Sequence, residues 1–281
     1  MALTHTTLNS AKAWAPDRNA FNPAEAVPDA LILTHSTVSG VIEGDAPALR
    51  VAYVTDDEAQ FTAEGTEIPE AEPGLDEVLV HTAKITQLVR LSQEQYRQEG
   101  AAQEISTSVQ RAIIKKANQA FLTQAAPTAP VVAPSAGIIN VTGIVSGDPV
   151  TTNLDPLVDL VATLESNGGT PSGIILDPLA WAALRKIKTG AGSEVGILGA
   201  GTNDAQKMLL DLPVTVSAAL TANSGIIIDR TAIASAVGPV NVATDESVYF
   251  TSDGVALRAT WRIGWNIVRP NRIGKFTITT E

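Results

Sequence analysis

The sequence predicts an α+β protein, and three stretches carry that prediction. The first is an acidic segment between two predicted strands. The second is a single long amphipathic helix, and the third is a long, strictly alternating strand near the C-terminus. Because ordinary strands have about five or six residues, such a long strand indicates an elongated body rather than a compact globule.

The acidic segment runs from Glu43 to Glu77 and sets eleven carboxylates against one base, Arg50. Alternating apolar and polar residues on both flanks predict strands. The sequence between them, FTAEGTEIPEAEPG, is too polar for a core and predicts a charged tip. An isolated hairpin is marginally stable in water, and neighbouring like charges repel one another. We therefore expect this arm to lie on another surface, either elsewhere in the chain or on a neighbouring copy.

A long helix follows the hairpin. From Ala101 to Phe121, apolar residues recur at three- and four-residue steps and form one stripe. Lys115 and Lys116 near its C-terminal end are expected to complement the helix dipole. The segment 124–137 then holds three prolines, which exclude a helix and indicate a boundary.

The block from about 153 to 237 predicts an α/β or α+β subdomain with short connections. Asp155-Pro156 and Asp177-Pro178 each resemble a helix N-cap followed by proline. A glycine-rich loop, Gly190 to Asn203, lies between the second of these helices and two apolar strands.

The last block predicts the long strand. Thirteen residues from Val255 to Ile267 alternate without interruption and would span ~43 Å. Arg258 and Arg262 lie on its polar face, and Arg269 follows it. This end of the chain is therefore the basic counterpart of the acidic arm.

The first 30 residues or so predict an irregular arm with Trp14 and Phe21 as apolar anchors. It is either a disordered terminus, which is common, or an arm that packs on another surface. Ala30 to Val41 is interpreted as a strand or a short helix that joins this arm to the body.

Composition excludes several function classes. The chain has 281 residues, 44% of them hydrophobic, a net charge of −11 and no cysteine. The charge argues against nonspecific nucleic-acid binding over the whole surface. No apolar run approaches the ~20 residues of a membrane span, and no apolar secretory segment opens the chain. The glycine-rich loop lacks a nucleotide-binding signature, and the histidines form no metal-ligand pair. We expect no cofactor, no metal and no catalytic site.

Taken in order, the segments resemble those of a tailed-phage major capsid protein of the Hong Kong 97 fold. The likeness is carried by AEGTEIPEAEPGLDEVLVHTAKITQLVRLSQE, by the helix ending in QAFLTQAAPTAPVVAPSAGII, and by LDPLVDLVATLESNGGTPSGIILDPLAWAALRKIKT. LLDLPVTVSAAL and VALRATWRIGWNIVRP complete it. The resemblance implies an N-terminal arm (1–40), an extended hairpin loop (41–90), and a spine helix with the first part of a peripheral domain (91–130). An axial domain (131–240) and the peripheral C-terminal strands (241–281) would follow.

The resemblance implies a structural protein that self-assembles into hexamers and pentamers of an icosahedral phage head around double-stranded DNA. The extended loop would lie over a neighbouring subunit. Portal, scaffolding and decoration proteins are implied partners, DNA would be held without sequence-specific binding, and no membrane is involved. The protein would be assembled in the host bacterial cytoplasm and end in the virion. The segment 56–77 contains no lysine, so a Lys-Asn cross-link from this loop is not expected.

The residues expected at subunit contacts are acidic and apolar side chains of the arm, bases near the C-terminus and the two N-terminal anchors. They are Glu58, Phe61, Glu64, Glu67, Ile68, Glu70, Glu72, Leu75, Arg258, Arg262, Arg269, Trp14 and Phe21. Three other functions stay open at this stage. One is the shell of an encapsulin-like compartment, one is an α/β enzyme that binds a nucleotide at Gly190–Asn203, and one is a monomeric surface-binding module with a charged arm.

Overall fold

The computed structural model describes residues 18–21, 27–42, 46–55, 59, 61–68, 70, 74–97, 101–188, 196, 198 and 207–279. Its strands are β1 (Arg18–Phe21), β2 (Thr37–Val41), β3 (Ala48–Thr55), β4 (Gly74–Ser92), β5 (Val145–Ser146), β6 (Gly173–Leu176), β7 (Met208–Leu209), β8 (Leu212–Val216), β9 (Ser224–Ile228), β10 (Ile233–Tyr249), β11 (Gly254–Ile267) and β12 (Gly274–Thr277). Its helices are α1 (Leu31–Thr34), α2 (Gln93–Tyr96), α3 (Ala101–Thr123), α4 (Asp155–Ser166) and α5 (Pro178–Lys186). Short 3-10 turns lie at Ile138–Asn140, Arg230–Ala232, Phe250–Ser252 and Pro270–Arg272.

The first sheet is built on the longest strands and has the order β1-β10-β11-β4-β3, with β2 also paired to β10. The predicted alternation of β11 is confirmed, because every second residue is buried: Val255, Leu257, Ala259, Trp261, Ile263, Trp265 and Ile267. Trp261 Nε1 donates a hydrogen bond to the Gly238 carbonyl at 2.9 Å. Buried indoles need such partners.

The long helix α3 packs its apolar stripe into one core cluster with the inner residues of β11. Phe121 meets Trp265 edge to face, with ring centroids 5.7 Å apart. The resemblance implies a spine helix at about 94–121. The structure instead has a short helix at Gln93–Tyr96 and the long helix from Ala101 to Thr123.

The expected dipole role of Lys115 and Lys116 is also wrong. The helix continues to Thr123 because Phe121 and Leu122 are buried, and its last turn holds no base. Other groups form hydrogen bonds with the carbonyls at the end of the helix. Asn140 Nδ2 donates to the carbonyls of Thr123 (3.1 Å) and Gln124 (2.8 Å).

The proline-rich segment 124–137 is an irregular loop, and its last residues contact the end of α3. The amide of Gly137 donates to the Gln124 carbonyl at 2.8 Å. A Cβ at Gly137 would lie 2.4 Å from the Gln124 nitrogen, so only glycine allows this approach. The predicted boundary between 124 and 137 is confirmed as a break in regular structure.

The second sheet has the order β5-β12-β9-β6-β8-β7 and packs with α4 and α5 around a second apolar cluster. The cap predicted at Asp177 is confirmed, because its carboxylate accepts from the Leu179 amide at 3.0 Å. The cap predicted at Asp155 is wrong. Leu154 holds the cap position there without a side-chain hydrogen bond, and Asp155 is the first helical residue.

The expected domain ranges 131–240 and 241–281 do not follow the two sheets. Strand β10 begins at Ile233 and lies in the first sheet, whereas β12 pairs with β9 in the second. The β12 pairing buries Phe276 among the residues of the second core. Which sheet serves as an axial or a peripheral domain stays a prediction.

The described N-terminal residues pack on the body. Strands β1 and β2 both pair with β10, the first antiparallel and the second parallel. Helix α1 is tied to α3 by a hydrogen bond of 2.8 Å from the Leu31 amide to Asn118 Oδ1. Ala30–Val41 thus contains both of the alternatives that the sequence left open, a short helix followed by a strand.

Candidate assembly surfaces

The acidic arm is a two-stranded hairpin that extends the long strand β4. Strands β3 and β4 pair antiparallel from Ala48 opposite His81 to Thr55 opposite Gly74. Strand β11 pairs only with the part of β4 from Thr82 to Ser92. The eight residues of β3 therefore pair with the part of β4 that extends past the β4–β11 ladder, over about 26 Å at ~3.3 Å per residue.

Two side chains of the C-terminal region hold this hairpin to its own subunit, one near its root and one near the far end of β3. Asn266 Nδ2 donates to the Leu79 carbonyl at 2.9 Å, and Arg269 donates to the Val54 carbonyl at 3.0 Å. The hairpin strands also pack against the apolar cluster that contains Ala234 and Ala236, through Leu49, Val51 and Val78. The paired strands are therefore held on their own subunit as far as Val54, and only the tip follows beyond that contact.

Cross-strand polar pairs link the two hairpin strands between these two contacts. Arg50 and Glu77 form an ion pair at 2.9 Å, and both side chains are more than half exposed. Such a pair contributes only ~0–1 kcal/mol. The Tyr53 hydroxyl donates to Asp76 at 3.0 Å, and this bond is the main cause that raises the pKa of Tyr53.

The tip presents apolar and acidic side chains to solvent together. Phe61 is fully exposed, and Ile68 and Leu75 are 76% and 82% exposed. Glu64 and Glu67 are exposed between them, and Glu70 is exposed just beyond. Contiguous exposed apolar side chains with a polar rim are typical of protein–protein contact sites.

A basic cleft lies on the outer face of the first sheet. Lys84 of β4 and Arg258 and Arg262 of β11 line it, and its volume is about 480 Å³. Arg262 and Lys84 are direct partners across the two strands. The Arg262 guanidinium also donates to Thr82 Oγ1 at 3.0 Å.

The structure separates the three arginines that the sequence grouped. Arg258 and Arg262 share the cleft, whereas Arg269 follows β11 and binds the hairpin of its own chain. Lys84 was missed by sequence reasoning. It lies between Ala83 and Ile85, which the alternating pattern places on the inner face of the strand. The sequence therefore already predicted that Lys84 lies on the outer face. The sequence did not predict that Lys84 lies opposite Arg262 in the strand register.

The remaining predicted contact residues lie wholly or partly outside the described residues. Trp14, Glu58 and Glu72 are outside, as is the side chain of Phe21. The backbone of Phe21 pairs with Val240 at the end of β1.

Other candidate sites can be placed only in part. Of the Gly190–Asn203 loop, only residues 196 and 198 are described. In the described ranges, no three His, Asp or Glu side chains come together as metal ligands. No helix in those ranges is long and apolar enough to cross a membrane.

His35 is buried beside the second sheet, with Nε2 at 3.2 Å from Thr215 Oγ1. Burial, and next the positive charge of Arg230, lower the pKa of His35 to about 4. It is therefore a neutral packing residue at neutral pH.

Comparison with known proteins agrees with this architecture. The family model described as "Phage capsid family" matches residues 37–278. The fold is similar to a structure from Gordonia phage Cozz, with a TM-score of 0.68 at 18% identity over 90% of this chain and 87% of that one. It is also similar to "Capsid of empty GTA particle computed with C5 symmetry" (TM-score 0.68, 14% identity, 99% and 100% covered).

A structure from Mycobacterium phage Adephagia gives a TM-score of 0.68 at 12% identity, covering 99% of each chain. No curated protein matches the sequence. At these identities the structures show a shared fold, while the family model spans most of the chain. The protein is thus a structural component of the virion rather than an enzyme, and the chain belongs to the phage capsid family.

Proposed function

We propose that this chain is the major capsid protein of a tailed phage, and that it self-assembles into hexamers and pentamers of an icosahedral head. The observation that carries the proposal is the hairpin. Its tip exposes Phe61 and Ile68 together with three glutamates, beyond the end of the β3–β4 ladder. A monomer gains nothing from such a tip, whereas a neighbouring copy could bury it.

Apolar burial supplies most of the contact free energy in this proposal. Full burial of a side chain such as Phe61, Ile68 or Leu75 contributes ~1.5–3 kcal/mol. An exposed ion pair contributes about 0–1 kcal/mol. The glutamates therefore set register and partner choice, and the apolar side chains hold the subunits together.

The head would enclose double-stranded DNA without sequence-specific contacts, which agrees with the net charge of −11. Portal, scaffolding and decoration proteins are the further partners of the proposal, and assembly would take place in the host bacterial cytoplasm. Of the described parts, the two sheets are the candidates for the axial and peripheral domains.

Deletion of Phe61–Gly74 tests the proposal. Wild-type protein should form large, closed particles in sedimentation and negative-stain microscopy. The deletion variant should remain a folded subunit or capsomer that cannot close a shell, because it lacks the exposed tip. Circular dichroism and a cooperative thermal transition check that it folds. Normal shells from this variant would contradict the proposed role of the hairpin.

A further inference from the structure

The basic cleft brings like charges together on the outer face of the sheet. Arg262 and Lys84 are register partners on neighbouring antiparallel strands. Directly opposite side chains have Cβ atoms about 4.5–5.5 Å apart, and like charges in that position are destabilising. Arg258 lies four residues along the same face of β11 and lines the same cleft. An acidic group placed here would relieve the repulsion.

Two of these bases have no ionic partner among the residues that the structure describes. No described carboxylate forms an ion pair with Lys84 or Arg258. Both side chains are exposed. Thr260 and Asn241 complete the polar wall of the cleft, so it offers hydrogen-bond donors as well as positive charge.

The cleft continues into a partly apolar groove. A second depression of about 780 Å³ shares Arg258 and Ala243 with it. It is also lined by the apolar Leu88 and Val248 and by the acidic Asp245 and Glu246. Leu88 and Val248 are 60% and 61% exposed. The outer face therefore offers positive charge at the Lys84 end, and next to it apolar surface that Asp245 and Glu246 border.

The hairpin tip has the complementary chemistry. Glu64 and Glu67 lie between Phe61 and Ile68, so carboxylates and apolar side chains occur within eight residues. Arg269 is already bound to Val54 of its own chain, which makes it a positioning residue for the hairpin and not a receptor for the tip.

We propose that the cleft formed by Lys84 and Arg258 receives Glu64 and Glu67 from the hairpin of a second copy, with Phe61 and Ile68 covering Leu88 and Val248. The inference rests on the proposed shell function and specifies which bases take part. Charge complementarity selects the second copy as the occupant.

A charge exchange within one chain tests the pairing. The cleft variant carries Lys84→Glu and Arg258→Glu, and the tip variant carries Glu64→Lys and Glu67→Lys. Each alone should give at least tenfold fewer particles than wild type, because like charges then face one another. The chain with all four substitutions has the wild-type net charge and should recover most of the particle yield.

Two control chains separate pairing from net charge. Lys115→Glu with Lys116→Glu makes the same charge change on the exposed side of α3 and should leave the yield near wild type. The cleft variant combined with Asp159→Lys and Glu165→Lys on α4 restores net charge away from the tip and should not recover particles. Thermal unfolding shows whether each variant folds, and Lys84→Gln with Arg258→Gln replaces the cleft variant if that one does not.

The outcomes distinguish this inference from the function on which it rests. Wild-type protein that never forms particles contradicts the proposed function. Wild-type shells together with normal shells from a folded cleft variant contradict the pairing alone. Failure of the four-substitution chain to recover particles, when both halves had lost them, also overturns the pairing.

Discussion

Acidification should destabilise the folded subunit through His35. The ring is 7% exposed, and its pKa falls from 6.5 to about 4 in the folded state. Between these values the unfolded chain binds a proton that the folded chain does not, so stability decreases as pH falls. As the pH falls, the free energy of unfolding should decrease by ~2 kcal/mol at pH 5 and by ~3 kcal/mol at pH 4.

Denaturant unfolding of dissociated subunits at pH 7.5 and pH 5 measures this effect. The control is His35→Gln, which does not titrate and keeps a polar group facing Thr215 Oγ1. Other titrating groups act on both proteins alike, so the comparison isolates the ring. The free energy of unfolding should fall between the two pH values by about 2 kcal/mol more in wild type than in the variant. Equal losses in the two proteins would refute the argument that His35 is held neutral by burial.

Three further predictions concern single side chains. Trp265→Ala should lower the free energy of unfolding by ~3–5 kcal/mol. Trp265→Phe should lower it less, because that variant loses mainly the 2.8 Å hydrogen bond to the Ala136 carbonyl. Equal losses for the two variants in chemical denaturation would contradict this ranking. Asp177→Ala should lower the free energy of unfolding by ~2 kcal/mol, since the buried carboxylate accepts from the amides of Leu179 and Asn223. Asp177→Asn should recover part of that stability in thermal unfolding. Arg269→Ala should change stability by no more than about 1 kcal/mol but speed amide exchange in β3, and unchanged exchange there would show that the Arg269 contact does not hold the hairpin.

Local periodicity made several elements predictable. The alternation of β11 requires one buried face, and all seven predicted inward residues are buried. The apolar stripe of α3 and the cap at Asp177 likewise depend on side chains close together in the chain. Predictions of end positions were weaker. The dipole role of Lys115 failed because the helix continues to Thr123, where Phe121 and Leu122 are buried. The cap at Asp155 failed because the helix begins at Asp155 itself, with Leu154 in the cap position.

The hairpin shows most clearly which features follow from the sequence and which from the tertiary structure. The sequence by itself determined two strands with an acidic segment between them, because charge, turn residues and alternation are local properties. Only the tertiary structure decided that Arg269 holds this hairpin and that Lys84 lies opposite Arg262 on the neighbouring strand. The same holds for β12, which follows β11 in the chain yet pairs in the other sheet. Strand register and sheet partners depend on contacts between residues far apart in sequence, which no local pattern encodes.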